Sequence, residues 1–254
     1  MARVARRFTR VEPRRRARAF VLGLLSDLPR KNCWTIAGYV GDSGPAGMQH
    51  LLRKAVWDAD AVRDDIRTVA VEHLGAADAI LVVDETGDVK KGVHTVGVRR
   101  QYTGTAGRIE NAQVGVFLTC TTAVGHTLID RELHLPASWT DDTRRRAAAG
   151  VPEDTVFATK TELARRMLVR ALDGGATAAW VTGDEVHGAA SALRAAGAPL
   201  VVGPPQPPYR RVGFLSLLPA VVGGAVGPGA GRAPGPNLAL VAPLDHVTDL
   251  FVSG

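Results

Sequence analysis

Cysteine is almost absent from the 254-residue sequence: Cys33 and Cys120 lie far apart, and no C-x-x-C pair occurs. This excludes a disulfide framework and a cysteine-ligated zinc site, and it fits a reducing, cytoplasmic setting. Lysine is scarce as well, so that 26 of the 31 cationic residues are Arg. Acidic residues nearly vanish from the first 18 positions, where Glu12 alone stands against eight arginines. The early apolar run Ala19 to Leu25 is short and leads into Asp27, Pro29, Arg30 and Lys31 rather than a small-residue cleavage site, so no signal peptide is expected. The uncharged stretch Val212 to Gly231 is broken by Pro219, Pro228 and clustered glycines, which argues against a membrane span. After Glu185 there is no further Glu.

What is present is a 46% hydrophobic content, enough to bury a real interior, and a net charge of +6. That charge favours an anionic partner such as DNA. Residues 1–18 read as an Arg-rich arm, which suits phosphate contact or, alternatively, a solvated and partly disordered segment. Residues 19–76 carry apolar positions at helical spacing and read as a set of short helices. Pro45 stands where a helix can begin, and Asp58 is placed to cap a helix carrying Val62, Ile66, Val69 and Leu74. Such a region can bind DNA or simply pack on the next domain, and no turn signature specific to a helix-turn-helix stands out.

Over residues 77–203 the period changes. Strand-like runs at Ala79 to Val83, Gln113 to Thr121 and Thr127 to Leu135 precede a helix at Lys160 to Leu172. A strand at Ala178 to Thr182, a helix at Ala189 to Ala196 and a strand at Pro199 to Val202 follow. The order β-β-β-α-β-α-β is that of a ribonuclease-H-like α/β fold, a mixed sheet flanked by helices in which the first and fourth strands are neighbours. Residues 204–254 turn Pro- and Gly-rich, with neither Lys nor Glu, and read as an irregular tail that is disordered or out of frame.

Two of these strands run into aspartates, Asp84 and Asp184. Carboxylates at the ends of adjacent strands can share hard divalent cations, and a pair of such ions promotes phosphodiester cleavage. Each aspartate also has a plainer reading: Asp84 as a turn residue, Asp184 as a helix N-cap.

Several stretches of the chain resemble one family. They include Gly23-Leu24-Leu25-Ser26, Met48-Gln49-His50-Leu51-Leu52, Trp57-Asp58-Ala59-Asp60, and Asp84-Glu85-Thr86-Gly87-Asp88-Val89-Lys90-Lys91-Gly92. They continue with Gly97 to Arg108, Asn111-Ala112-Gln113, Asp130-Arg131-Glu132-Leu133, Leu135-Pro136 with Trp139, Phe157-Ala158-Thr159-Lys160, and Trp180-Val181-Thr182-Gly183-Asp184. Over about Phe20 to Val202 the chain is similar to insertion-sequence transposases of the DDE superfamily-endonuclease type. The resemblance implies DNA transposition by cleavage and strand transfer with Mg²⁺ or Mn²⁺, two ions being expected in an intact member. It makes Asp84 and Asp184 the first and second metal-binding acids. It also sets Lys90, Lys91, Arg99, Arg100, Gln101, Tyr102 and Arg108 beside the site as DNA contacts, with the element's terminal repeats as partner and room for a homo-oligomer. The expected setting is the cytoplasm, at the nucleoid when bound to DNA.

Two departures stand out: His187-Gly188 where the family carries Tyr before Gly, and no Glu for the third acid. Neither Asp245 nor Asp249 lies in the expected helical context. The expectation is therefore a truncated or frameshifted copy with impaired catalysis. The alternatives are a non-catalytic remnant that binds element ends, or a ribonuclease-H-like nuclease that does not transpose.

Overall fold

A computed structural model describes residues 2–183 and 200–202. The chain divides into two compact units, with the boundary after Asp65.

In the first unit the arginine-rich start is folded. Helix α1 spans Ala2–Ala5 and α2 spans Val11–Leu25, so α2 begins inside the segment read as an arm and runs past residue 18 without a break. Arg6 and Arg7 both reach the buried carboxylate of Asp65, Arg7 through two bonds of 2.7 Å. Helices α3, Cys33–Tyr39, and α4, Ala46–Arg53, complete a three-helix packing around Phe20, Ile36, Ala37, Met48 and Leu51. Asn32 caps α3, accepting from the N–H groups of Trp34 and Thr35, while the Thr35 hydroxyl accepts from the Asn32 N–H. Gly23 lies where a Cβ would come within 2.5 Å of Ile36, which lets α2 and α3 approach closely. Phe8 stacks on Trp57 with ring centroids 5.4 Å apart.

Helix α5, Ala59–Leu74, begins where expected, since Asp58 accepts the Ala61 N–H at 2.8 Å.

The second unit is a six-stranded mixed sheet. Its strands are β1, Ile80–Val89; β2, Arg99–Thr103; β3, Arg108–Thr122; β4, Gly125–His134; β5, Trp180–Gly183; and β6, Leu200–Val202. The order is β2-β3-β1-β5-β6, with β4 also paired to β3. Strands β1 to β4 pair antiparallel, whereas β5 pairs parallel to both β1 and β6. The neighbourship of the first and a later parallel strand is the one expected of the ribonuclease-H-like order. Short helices α6, Ala137–Thr140, and α7, Thr143–Ala148, precede α8, Lys160–Asp173.

Helix α8 forms because Thr159 caps it, accepting the Glu162 N–H at 3.1 Å, and because Leu163, Ala164, Met167, Leu168 and Ala171 make one buried stripe. That stripe packs on Leu81, Val83, Val116, Leu118 and Val181. Removing such a fully buried side chain, as in Met167→Ala, costs about 2–5 kcal/mol. The expected helix at Ala189 to Ala196 and the tail from residue 204 lie outside the described residues.

Candidate active site

Alternation along β1 decides which side chains leave the core. Leu81 and Val83 are buried against α8, so Asp84 falls on the opposite face, where it is exposed. The strand does not end at Asp84 as the sequence suggested. It continues to Val89, because β3 supplies ten consecutive antiparallel partners, from Ile80↔Thr121 through Asp84↔Phe117 to Val89↔Ala112. What does end near Asp84 is the described parallel pairing, whose last register position is Val83↔Gly183. Asp184 follows Gly183 in sequence and lies outside the described residues. The Asp84 Oδ1 accepts the N–H of Glu85 at 2.8 Å.

Glu85 itself points to the α8 side of the sheet. Its Oε1 accepts from the Lys160 ammonium at 2.8 Å, while its Oε2 lies 2.7 Å from the same ammonium as an ion-pair contact without a hydrogen bond of its own, and both side chains are largely buried. Lys160 is the first residue of α8, where the helix dipole disfavours a cation by about 0.3–1 kcal/mol. Glu85 offsets that cost locally. His134 lies nearby on β4, edge-on to Phe157 with ring centroids 6.3 Å apart. Burial, reinforced by the Lys160 charge and opposed by Glu85, lowers the His134 pKa from its ordinary 6.5.

The far end of α8 is fixed by the same chemistry. Arg170 donates to Asp130 at 2.9 and 3.1 Å and to Glu132 at 2.6 Å, and Arg67 reaches Asp130 at 3.4 Å. The Asp130-Arg131-Glu132 stretch thus places two acids on the α8 face of β4, a cross-strand row away from Glu85 through Val116.

The basic segment after Asp84 is partly ordered by hydrogen bonds to its backbone. Asn111 donates to the carbonyls of Lys90 and Gly92 at 2.8 and 2.9 Å, and Gln113 donates to that of Val96 at 2.7 Å. The buried indole of Trp139 donates to Val98 O at 2.9 Å, while the Arg145 guanidinium lies 3.7 Å above its ring. Beyond Val98 this segment forms strand β2, although Arg-Arg-Gln-Tyr-Thr carries no apolar alternation. Of the nominated contacts, Lys91, Arg99, Arg100, Tyr102 and Arg108 are exposed. Lys90 is paired with Asp88, Gln101 donates to Ala112 O at 2.8 Å within the sheet, and Arg108 pairs with Glu110 at 2.7 Å.

Residues 3–203 match the family described as DDE superfamily endonuclease. The chain belongs to that family. A probable transposase for insertion sequence element IS701 from Microchaete diplosiphon is 39% identical over 95 residues, which are 37% of this chain and 25% of that protein. The matched part of the chain therefore spans about a quarter of that relative's length. No solved structure matches. No group of three or more His, Cys, Asp or Glu that could hold a metal occurs among the described residues. No described helix is long and apolar enough to cross a membrane. The pair Glu85–Lys160 and its neighbour His134 were missed by the sequence reading. The available signal was a lysine in the first turn of a capped helix, where charge preference alone would not put it.

Proposed function

We propose that this endonuclease is a DDE-type transposase acting on the ends of an insertion sequence, with Asp84 and Asp184 as its first two metal-binding acids. The observation that carries the reading is the register Val83↔Gly183, since each of these residues immediately precedes one of the two aspartates in the chain. The exposed carboxylate of Asp84 is an oxygen donor of the kind that Mg²⁺ or Mn²⁺ prefers. When bound, such cations activate the attacking water or 3′-hydroxyl and stabilise the leaving oxygen. Asp84 is steadied for this by the Glu85 N–H, and Glu85 in turn by Lys160. Lys91, Arg99, Arg100 and Arg108 are the residues assigned to phosphate contact and Tyr102 to sugar or base contact; Lys90 and Gln101 support the segment as well. DNA ends are the partner, and further copies of the chain complete the assembly.

Because the sequence has no Glu after Glu185, the proposal includes impaired strand transfer by the chain alone. The test incubates the full chain with Mg²⁺ and a supercoiled plasmid carrying the element ends. Nicking at the ends that Asp84→Ala and Asp184→Ala each abolish supports the reading. Retention of the end-specific complex without any nicking selects a DNA-binding protein instead. Cleavage of unrelated DNA or RNA selects a nuclease that does not transpose.

A further inference from the structure

Helix α4 presents an exposed polar stripe. Met48 and Leu51 point into the three-helix core with 0% and 4% exposure. At 100° per residue, Ala46, Gln49, His50 and Arg53 therefore fall on the opposite side, at i, i+3, i+4 and i+7, and all four are exposed. Lys54 follows at the helix end. Among the described residues, the side chains of Gln49, His50 and Arg53 enter no hydrogen bond or ion pair. No acidic residue occurs between Asp42 and Asp58, and Asp42 is itself engaged by Arg16.

The helix is also held firmly from behind. Residue Gly41 takes φ +80°, and the Asp42 N–H closes back on the Ala37 carbonyl at 2.8 Å, a left-handed helix end that only glycine adopts without strain. Six residues, 40–45, then carry the chain from α3 into α4. Arg16 of α2 pairs with Asp42 in this turn and lies over Gly47, where a Cβ would come within 2.3 Å of its guanidinium. One arginine thus fixes both the turn and the start of α4. Residues 2–65 hold 13 Lys and Arg against 7 Asp and Glu, so this stretch is basic overall, and Arg10 and Arg16 share a cleft with Glu12 and His50.

We infer that α4 is a recognition helix that reads duplex DNA in the major groove through Gln49 and Arg53, with Lys54 on a phosphate. The major groove is about 12 Å wide and admits a helix about 10–12 Å across. The side chains match its code: Arg pairs in bidentate fashion with guanine O6 and N7, Gln with adenine N6 and N7, and the Ala46 methyl meets a thymine methyl. Helices α3 and α4 are joined by a glycine-bearing connection, here six residues rather than the usual three or four, and the second presents its polar stripe outward, as a groove-reading helix must. A protein partner would call for an apolar stripe, and the deep, narrow major groove of duplex RNA excludes a helix.

The test selects the full chain, without divalent cation, on a duplex library with 16 randomised base pairs, followed by sequencing. The wild-type chain enriches a motif. Gln49→Ala flattens it at one base pair and Arg53→Ala at another, each lowering discrimination by about 5- to 150-fold. Lys54→Ala weakens binding uniformly and lowers the log–log salt slope by about 0.9. Circular dichroism confirms that these exposed-site variants keep their helices. The inference is overturned if the wild type enriches no motif, if the motif survives in the Gln49→Ala/Arg53→Ala double variant, or if duplex RNA of the same sequence binds equally well. Because no metal is present, a motif found in a chain that fails to nick DNA sustains α4 and counts against the catalytic reading only.

Discussion

Lys160 Nζ and the carboxylate of Glu85 meet at 2.7–2.8 Å, joining the first turn of α8 to the strand that carries Asp84. The side chains keep 21% and 16% exposure, so the pair is largely but not wholly desolvated. Lys160→Met leaves a mostly buried carboxylate unpaired and should cost about 1–3 kcal/mol, below the 3–5 kcal/mol of a fully buried pair. Neutralising both partners, in Glu85→Gln/Lys160→Met, should recover most of that loss. The Lys160 charge helps to lower the His134 pKa, so Lys160→Met should also raise the His134 midpoint in an NMR titration. Urea denaturation of the single and double variants checks the coupling. Additive costs and an unmoved His134 would show that the contact is incidental.

Asp65 gives the first unit a pH dependence of known sign. Hydrogen bonding from Arg7 holds its pKa below the ordinary 3.8, against the opposing effect of burial, and Arg6 adds to the lowering. A depressed carboxylate stabilises the fold above the unfolded value and loses that contribution as pH falls through the folded one. Stability should therefore drop below about pH 4. Asp65→Asn should lose about 1–3 kcal/mol at pH 7 and flatten the acid limb. Denaturation curves between pH 2 and 7 decide it; an acid limb unchanged by the substitution assigns the pH dependence elsewhere.

Gly97 is placed where only glycine fits. Its φ is +77°, and an added Cβ would lie 2.9 Å from the His134 carbonyl oxygen, which belongs to the backbone and cannot swing aside. Gly97→Ala should cost at least the roughly 1–2 kcal/mol of a left-handed L-residue. Gly92→Ala, with nothing within 4 Å of the new Cβ, should stay within about 0.5 kcal/mol of wild type. Comparable melting temperatures for the two variants would contradict this.

Salt dependence separates the nominated contacts on the basic segment. Lys91→Ala, Arg99→Ala and Arg100→Ala should each reduce the log–log salt slope of duplex binding by about 0.9 if each side chain meets one phosphate. Gln101→Ala should leave the slope alone and lower stability, because its amide is spent on the Ala112 carbonyl. Fluorescence anisotropy across 50–300 mM salt reads both; a slope indifferent to all three cations removes this segment from the interface.

Much of the frame could be read from local pattern. Alternating or continuous apolar runs located β1, β3, β4 and β5, a 3.6-residue apolar stripe located α8, and Asp58 marked the start of α5. Those features depend on neighbours a few residues apart, which sequence displays directly. Strand β2 was illegible because Arg-Arg-Gln-Tyr-Thr carries no apolar alternation, and it is a strand only because β3 is long enough to pair with it. The same holds for the extension of β1 past Asp84, which rests on ten partners from β3.

The sequence by itself determined the two aspartates as candidates, the basic character of the chain and the family it belongs to, since residue type and order carry that chemistry. Tertiary structure alone decided which charges are spent and which remain. Arg6 and Arg7 are bound to Asp65 across 59 and 58 residues, and Lys160 to Glu85 across 75, whereas Arg53 is left facing outward. The reason is physical: a charge acts on whatever group lies within a few ångströms through a low dielectric, and the chain's path through space, not its order, sets those distances.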